Sequence, residues 1–80
     1  MIKFHKQAEK FILSQGKSVA LRIYNAIEQL PMGDVKPLRG KDKPQLYRLR
    51  VGDYRIVFCP NKNGFTILRV DNRGDVYKRI

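Results

Sequence analysis

The run Leu46-Tyr47-Arg48-Leu49-Arg50-Val51-Gly52-Asp53-Tyr54-Arg55-Ile56-Val57-Phe58 alternates apolar and polar residues on both sides of Gly52-Asp53. Alternation with period two is the signature of a half-buried strand, and Gly-Asp is one of the two-residue turns that hairpins favour. With the turn at Gly52-Asp53, Val51 pairs with Tyr54, Arg50 with Arg55, Leu49 with Ile56 and Arg48 with Val57. Successive side chains point to opposite faces. Tyr47, Leu49, Val51, Tyr54, Ile56 and Phe58 therefore share one face, and Arg48, Arg50 and Arg55 share the other. Two arginines directly opposite, with a third one step along, repel each other in a bare sheet. An anion between them removes that penalty, and arginine grips phosphate in a fixed geometry. A solvated basic face is the alternative.

The apolar face of this hairpin needs a cover, and the N-terminal half supplies one. From Lys6 the pattern turns helical, with Ala8, Phe11 and Ile12 on one side and Gln15-Gly16 as a stop. Ser18 is the expected cap of a second helix with the stripe Val19, Ala20, Ile23, Ala26, Ile27 and Leu30, ended by Pro31. Two helices with a glycine between them make an antiparallel hairpin. Residues 1–4 suit a short opening strand. Residues 31–45, which hold three of the four prolines and two glycines, read as a connecting loop whose Val35 and Leu38 reach the core. Asn61-Lys62-Asn63-Gly64 is a turn, and residues 65–70 form a strand apolar on both sides, as expected in a sheet interior. Asp71-Asn72-Arg73-Gly74 reads as a further turn before a last strand over residues 76–80. The expected fold is α+β: one domain over residues 1–80, with a helical hairpin packed on one face of a mostly antiparallel sheet of four to five strands.

Charge narrows the function. The 80 residues carry 17 Lys and Arg against 7 Asp and Glu, a net charge of +10. Such a field suits a phosphate polymer, through steering and counterion release; anionic membrane and an acidic protein are the rivals. Lysines dominate the first 45 residues and arginines the remainder, so the expected sheet carries the guanidinium groups. A core this small is marginal alone, and a stabilising partner fits. Cys59 is the only cysteine, which rules out an internal disulfide and suits a reducing cytosol. No signal peptide or membrane span is legible, so the expected location is cytoplasmic, without a membrane partner.

Most catalytic sets are missing. His5 is the single histidine, expected at the surface or at a helix start. No cluster has metal-ligand spacing, and no nucleophile elbow, P-loop or dinucleotide fingerprint is present, so no metal or cofactor is expected. What remains is arginine with tyrosine. Arg73 and Tyr77 are placed to reach the basic face from its far side. Such a group can hold a scissile phosphate and stabilise its transition state, and an RNA substrate brings its own 2′-hydroxyl as nucleophile. Proton transfer is left to Tyr77, whose alternative is to stack on a base, because arginine keeps its proton.

The hairpin run, followed by Val70-Asp71-Asn72-Arg73 and Asp75-Val76-Tyr77, resembles the RelE/ParE superfamily of bacterial toxins, the toxin halves of type II toxin–antitoxin pairs. The likeness covers nearly the whole chain, including the helical hairpin and the link from Pro31 to Leu38-Arg39-Gly40. RelE-like members cleave messenger RNA in the ribosomal A site without a metal, leaving a cyclic phosphate; ParE-like members poison DNA gyrase. By position, the resemblance implies that Arg48 and Arg50 replace a basic pair, usually lysines, used for proton transfer and phosphate contact. Arg55 matches a phosphate-contacting arginine, Arg73 a basic residue supporting the transition state, and Tyr77 a tyrosine that stacks on the base or moves the proton. Arginine at both 48 and 50 departs from the pattern and leaves the general base unassigned. The sequence also stops at Ile80, without the C-terminal helix that many relatives carry.

The resemblance thus implies a ribosome-dependent mRNA endonuclease, silenced by a cognate antitoxin, with Arg48, Arg50, Arg55, Arg73 and Tyr77 at its catalytic site. Lys36, Arg39, Lys41 and Lys43 would contact ribosomal RNA. The alternatives are a gyrase inhibitor and a basic nucleic-acid-binding module without catalysis.

Overall fold

The computed structural model describes residues 1–38 and 44–72. The elements run β1 (Ile2–Phe4), α1 (Lys6–Ser14), α2 (Lys17–Glu28), β2 (Asp34–Pro37), β3 (Tyr47–Val51), β4 (Tyr54–Asn61) and β5 (Gly64–Asn72). The strands form one sheet in the order β1-β5-β4-β3-β2. β1 runs parallel to β5, and every other pair is antiparallel. β1 and β2 lie on opposite edges, so the helical hairpin between them in sequence has to cross the sheet.

The central hairpin has the register its sequence predicts: Val51 opposite Tyr54, Arg50 opposite Arg55, Leu49 opposite Ile56 and Arg48 opposite Val57. Gly52 carries the turn at φ 59°. A side chain there would be strained by that conformation and would also press on the Arg22 guanidinium, 2.7 Å from an ideal Cβ. The apolar faces close as expected. Ala8 and Ile12 of α1 and Ala20, Ile23 and Ile27 of α2 pack on Leu49, Val51, Ile56, Phe58, Ile67 and Val70. Phe58 anchors the end of this layer, stacked on Tyr47 and edge-on to Phe65. Phe11, Val19, Ala26 and Leu30 sit half-buried at its margin.

Four expectations need correction. Residues 31–45 are not all loop: Asp34–Pro37 pairs with β3 as an edge strand. Its short alternation is hidden between Gly33 and Pro37, and an edge strand tolerates proline because one side of its backbone is unpaired. Val35 does pack against the core, whereas Leu38 lies on the other side of the sheet. Asp71-Asn72 is not a turn, because β5 continues through both residues opposite Arg55 and Tyr54. Ser18 does not cap α2. The helix starts at Lys17 with Gly16 before it, at φ 95°, a conformation that glycine adopts freely. The expected strand over residues 76–80 lies outside the described residues.

One irregularity shapes the far side of the sheet. Val57 pairs with Arg69 and Phe58 with Ile67, so Leu68 is an extra residue, a β-bulge in β5. The bulge explains why this strand reads as apolar on both faces: Ile67 and Val70 enter the core while Leu68 lines the opposite surface.

Candidate functional site

The face that the helices leave uncovered holds charged residues in two rows across the strands. Asp34, Arg50, Arg55 and Asp71 stand in register on β2, β3, β4 and β5, and Lys36, Arg48, Val57 and Arg69 form the next row. The two arginines opposite each other are thus flanked by carboxylates from the outer strands. The protein supplies part of the counter-charge that a bare hairpin would take from a bound anion.

The arginines are not equivalent. Arg48 is only 8% exposed. Its Nη1 donates to the Asp34 carbonyl oxygen at 3.0 Å and to Asp34 Oδ1 at 3.3 Å, fastening β2 to β3. Arg50, two residues along the same face, is exposed, and its side chain makes no hydrogen bond or ion pair among the described residues. Arg55 donates from Nη2 to Asp71 Oδ2 at 3.1 Å. Its Nε–H is buried and has no partner among the described residues. Arg69 reaches the same Asp71 oxygen from Nε at 3.0 Å, with its side chain otherwise 70% exposed.

Arg55 and Arg69 stand at a shallow depression of about 490 Å³ lined also by His5, Gln7, Leu38, Leu46, Val57 and Leu68. An apolar floor beneath guanidinium groups weakens the competition of water and strengthens their hold on an anion. His5 comes to this place because β1 runs beside β5. Its backbone N–H donates to the Ile67 carbonyl at 2.8 Å, and it occupies the position just before α1.

Of the residues expected at the site, Arg48, Arg50, Arg55 and Lys36 fall on this one face, with Lys36 exposed on β2 opposite Arg48. Arg39, Lys41, Lys43, Arg73 and Tyr77 lie outside the described residues. Sequence reasoning missed Arg69 and Asp71; it placed His5 at the surface or at a helix start, where it lies, but not beside this depression. The alternation of Arg69 and Asp71 around Val70 was the available signal for the first two; the place of His5 beside the depression had none, since it depends on a parallel pairing between residues 63 positions apart. Cys59 is half-buried, its thiol directed to the Pro60 carbonyl. Among the described residues, no group of three or more His, Cys, Asp or Glu is arranged to hold a metal ion, and no helix is long and apolar enough to cross a membrane.

Residues 2–77 match the family of ParE toxins of the parDE type II toxin–antitoxin system. The chain belongs to the RelE/ParE toxin superfamily. Its fold is also that of solved RelE structures. The archaeal RelE–RelB complex from Pyrococcus horikoshii OT3 contains a chain with 33% identity and a TM-score of 0.69, over 91% of this chain and 93% of that one. The RelB–RelE antitoxin–toxin complex from Methanococcus jannaschii gives 27% identity and a TM-score of 0.70, over 98% of both chains. No curated protein sequence matches. Two helices on a five-stranded, mostly antiparallel sheet are thus the fold of a type II toxin, as the sequence predicts.

Proposed function

We propose that this toxin is a metal-independent mRNA endonuclease that acts in the ribosomal A site and stops translation. The observation that carries this reading is the pair in register at the centre of the open face: among the described residues, the exposed Arg50 side chain is uncommitted and the buried Arg55 Nε–H has no partner. In this mechanism the two guanidinium groups hold the non-bridging oxygens of the scissile phosphate, with Arg69 beside them. The substrate 2′-oxygen attacks phosphorus, the bond to the 5′-oxygen breaks, and a cyclic phosphate and a 5′-hydroxyl result. Negative charge grows on the equatorial oxygens as the reaction proceeds, and fixed guanidinium donors stabilise that charge without reorganising. Arg73 supports the same charge, and Tyr77 orients the adjacent base. Arg48 serves this site indirectly, by holding β2 in place. Lys36, with Arg39, Lys41 and Lys43, contacts ribosomal RNA.

A cognate antitoxin belongs to this reading, since both solved relatives are toxins bound to antitoxins. An acidic partner would neutralise part of the +10 charge and stabilise a small core. The toxin would work in the cytoplasm. A second reading, inhibition of DNA gyrase, is favoured by the match to the ParE description.

Primer extension on a short mRNA, with purified toxin and EDTA, with and without programmed ribosomes, separates these readings. The nuclease gives ribosome-dependent breaks at the A-site codon. Intact mRNA and normal translation, together with gyrase-dependent DNA breaks, would overturn the nuclease in favour of the inhibitor.

A further inference from the structure

An arginine site can hold a phosphate, but it cannot take a proton from a 2′-hydroxyl, because the guanidinium stays protonated at any ordinary pH. Among the side chains lining the depression, Arg55 and Arg69 are fixed cations, Gln7 does not titrate, and Leu38, Leu46, Val57 and Leu68 are aliphatic. Asp71 stands beside them, but its Oδ2 is engaged by both arginines. Among the described residues lining the depression, His5 is the one whose side chain can both accept and release a proton.

Among the described residues, nothing engages the imidazole. His5 is exposed, and neither ring nitrogen makes a hydrogen bond or ion pair among the described residues. The position before α1 is one where a short polar side chain commonly caps the helix, yet no side-chain cap is made here. The backbone is held from both directions, by the His5 N–H on the Ile67 carbonyl and by the Glu9 N–H on the His5 carbonyl at 3.1 Å. A fixed backbone carrying an uncommitted imidazole at the mouth of a cationic depression is an arrangement the fold itself does not need.

We propose that His5 is the general base of this toxin, a catalytic residue supplied from the β1–α1 junction. The inference rests on the cleavage reading above. As the bond from the 2′-oxygen to phosphorus forms, the imidazole takes the 2′-hydroxyl proton. As the bond from phosphorus to the 5′-oxygen breaks, the leaving oxygen takes a proton from water, and the imidazolium later returns its proton to solvent. Arg50 and Arg55 hold the phosphate as above, with Arg69 beside them on the His5 side. Among the described residues, the charged groups that share the depression with His5 are Arg55 from β4 and Arg69 from β5, both paired to Asp71; Lys3 on β1 and Lys6 at the start of α1 are its charged neighbours in sequence. Glu9, one turn further along α1, lies towards Tyr24.

The test is single-turnover cleavage of mRNA on programmed ribosomes by wild type, His5→Ala and His5→Asn, across pH 5 to 9. Asparagine keeps a good helix-start residue and guards against a merely unfolded variant. Both variants should lose about 10²–10⁴-fold in rate. The acidic limb of the wild-type pH profile should flatten in both, and added imidazole should restore part of the His5→Ala rate. Folded variants that cleave at the wild-type rate with the wild-type pH profile overturn the assignment of His5 and leave the nuclease standing. A wild-type toxin that does not cleave at all overturns both.

Discussion

Arg55 and Ile56 are consecutive residues of β4, and the two faces they open onto are built on different principles. Ile56 is fully buried in the hydrophobic cluster beneath the helices, where the stabilisation scales with the area removed from water. Any apolar side chain of suitable volume would serve there. Arg55 lies on the open face, where its state depends on which charges neighbouring strands place beside it: Arg50 on one side, Asp71 on the other. One face is decided by residue type, the other by adjacency. The same chain therefore carries a core that is easy to read and a site that is not.

The sharpest way to break this comparison is to truncate both neighbours. Ile56→Ala should cost about 2–5 kcal/mol of stability, a large share of the whole for a domain of this size, and a lowered urea midpoint would register it. Arg55→Ala should leave that midpoint nearly in place, yet lower ribosome-dependent cleavage by about 10²–10³-fold. If Arg55→Ala cleaves as well as wild type, phosphate is not held on this face.

A smaller effect separates two residues of the open face itself. Arg48 and Arg50 are equivalent in sequence pattern, but one is buried and bonded to Asp34 while the other is exposed and, among the described residues, uncommitted. Arg48→Ala should destabilise the fold by about 1–3 kcal/mol, because it removes the bonds that fasten β2. Arg50→Ala should change stability by less than about 0.5 kcal/mol, and relief of its repulsion with Arg55 favours a gain. Cleavage should fall with Arg50→Ala even so. Equal melting temperatures for the two variants would refute the distinction.

Asp71 tests the idea that the protein carries its own counter-charge. Replacing it with asparagine removes the anion shared by Arg55 and Arg69 at nearly constant size. RNA binding should tighten, and the dependence of log affinity on log salt should steepen by about 0.7–0.9, the contribution of one more phosphate contact. An unchanged slope would mean that the carboxylate does not compete with phosphate.

These contrasts also explain what could be read without coordinates. The central hairpin, its register and the helical stripes were legible because each rests on a local period, two for Tyr47–Val51 and about 3.6 for Lys17–Glu28. β2 was not, since four residues that follow a glycine and end on a proline carry too little pattern to stand apart from a loop. The bulge at Leu68 shifted the alternation of β5 by one residue and disguised Asp71 as part of a turn. His5 is the extreme case. Its neighbours on the open face come from β4, β5 and the segments flanking β2 and β3, and nothing in the residues around position 5 announces a parallel pairing with Gly64–Asn72.

The smallest effect belongs to the covered side. Tyr24 sits half-buried with its ring edge-on to Phe4 at 5.5 Å. Burial, and secondarily the Glu9 carboxylate, hold its pKa above the ordinary tyrosine value of 10.0. A group whose folded pKa is raised contributes stability that is fully present below the unfolded pKa and is lost as pH rises through the folded one. The window therefore opens near pH 10 and extends above it. Tyr24→Phe keeps the ring and should match wild type at neutral pH within about 0.5 kcal/mol. Between pH 9 and 11 its urea midpoint should fall less than that of wild type, because a phenyl ring has no proton to lose. Parallel curves would show that this tyrosine ionises as freely in the fold as in the unfolded chain. The helix-covered side would then be wetter around Tyr24 than its contact with Phe4 implies, and the contrast between the two faces would be weaker at that edge.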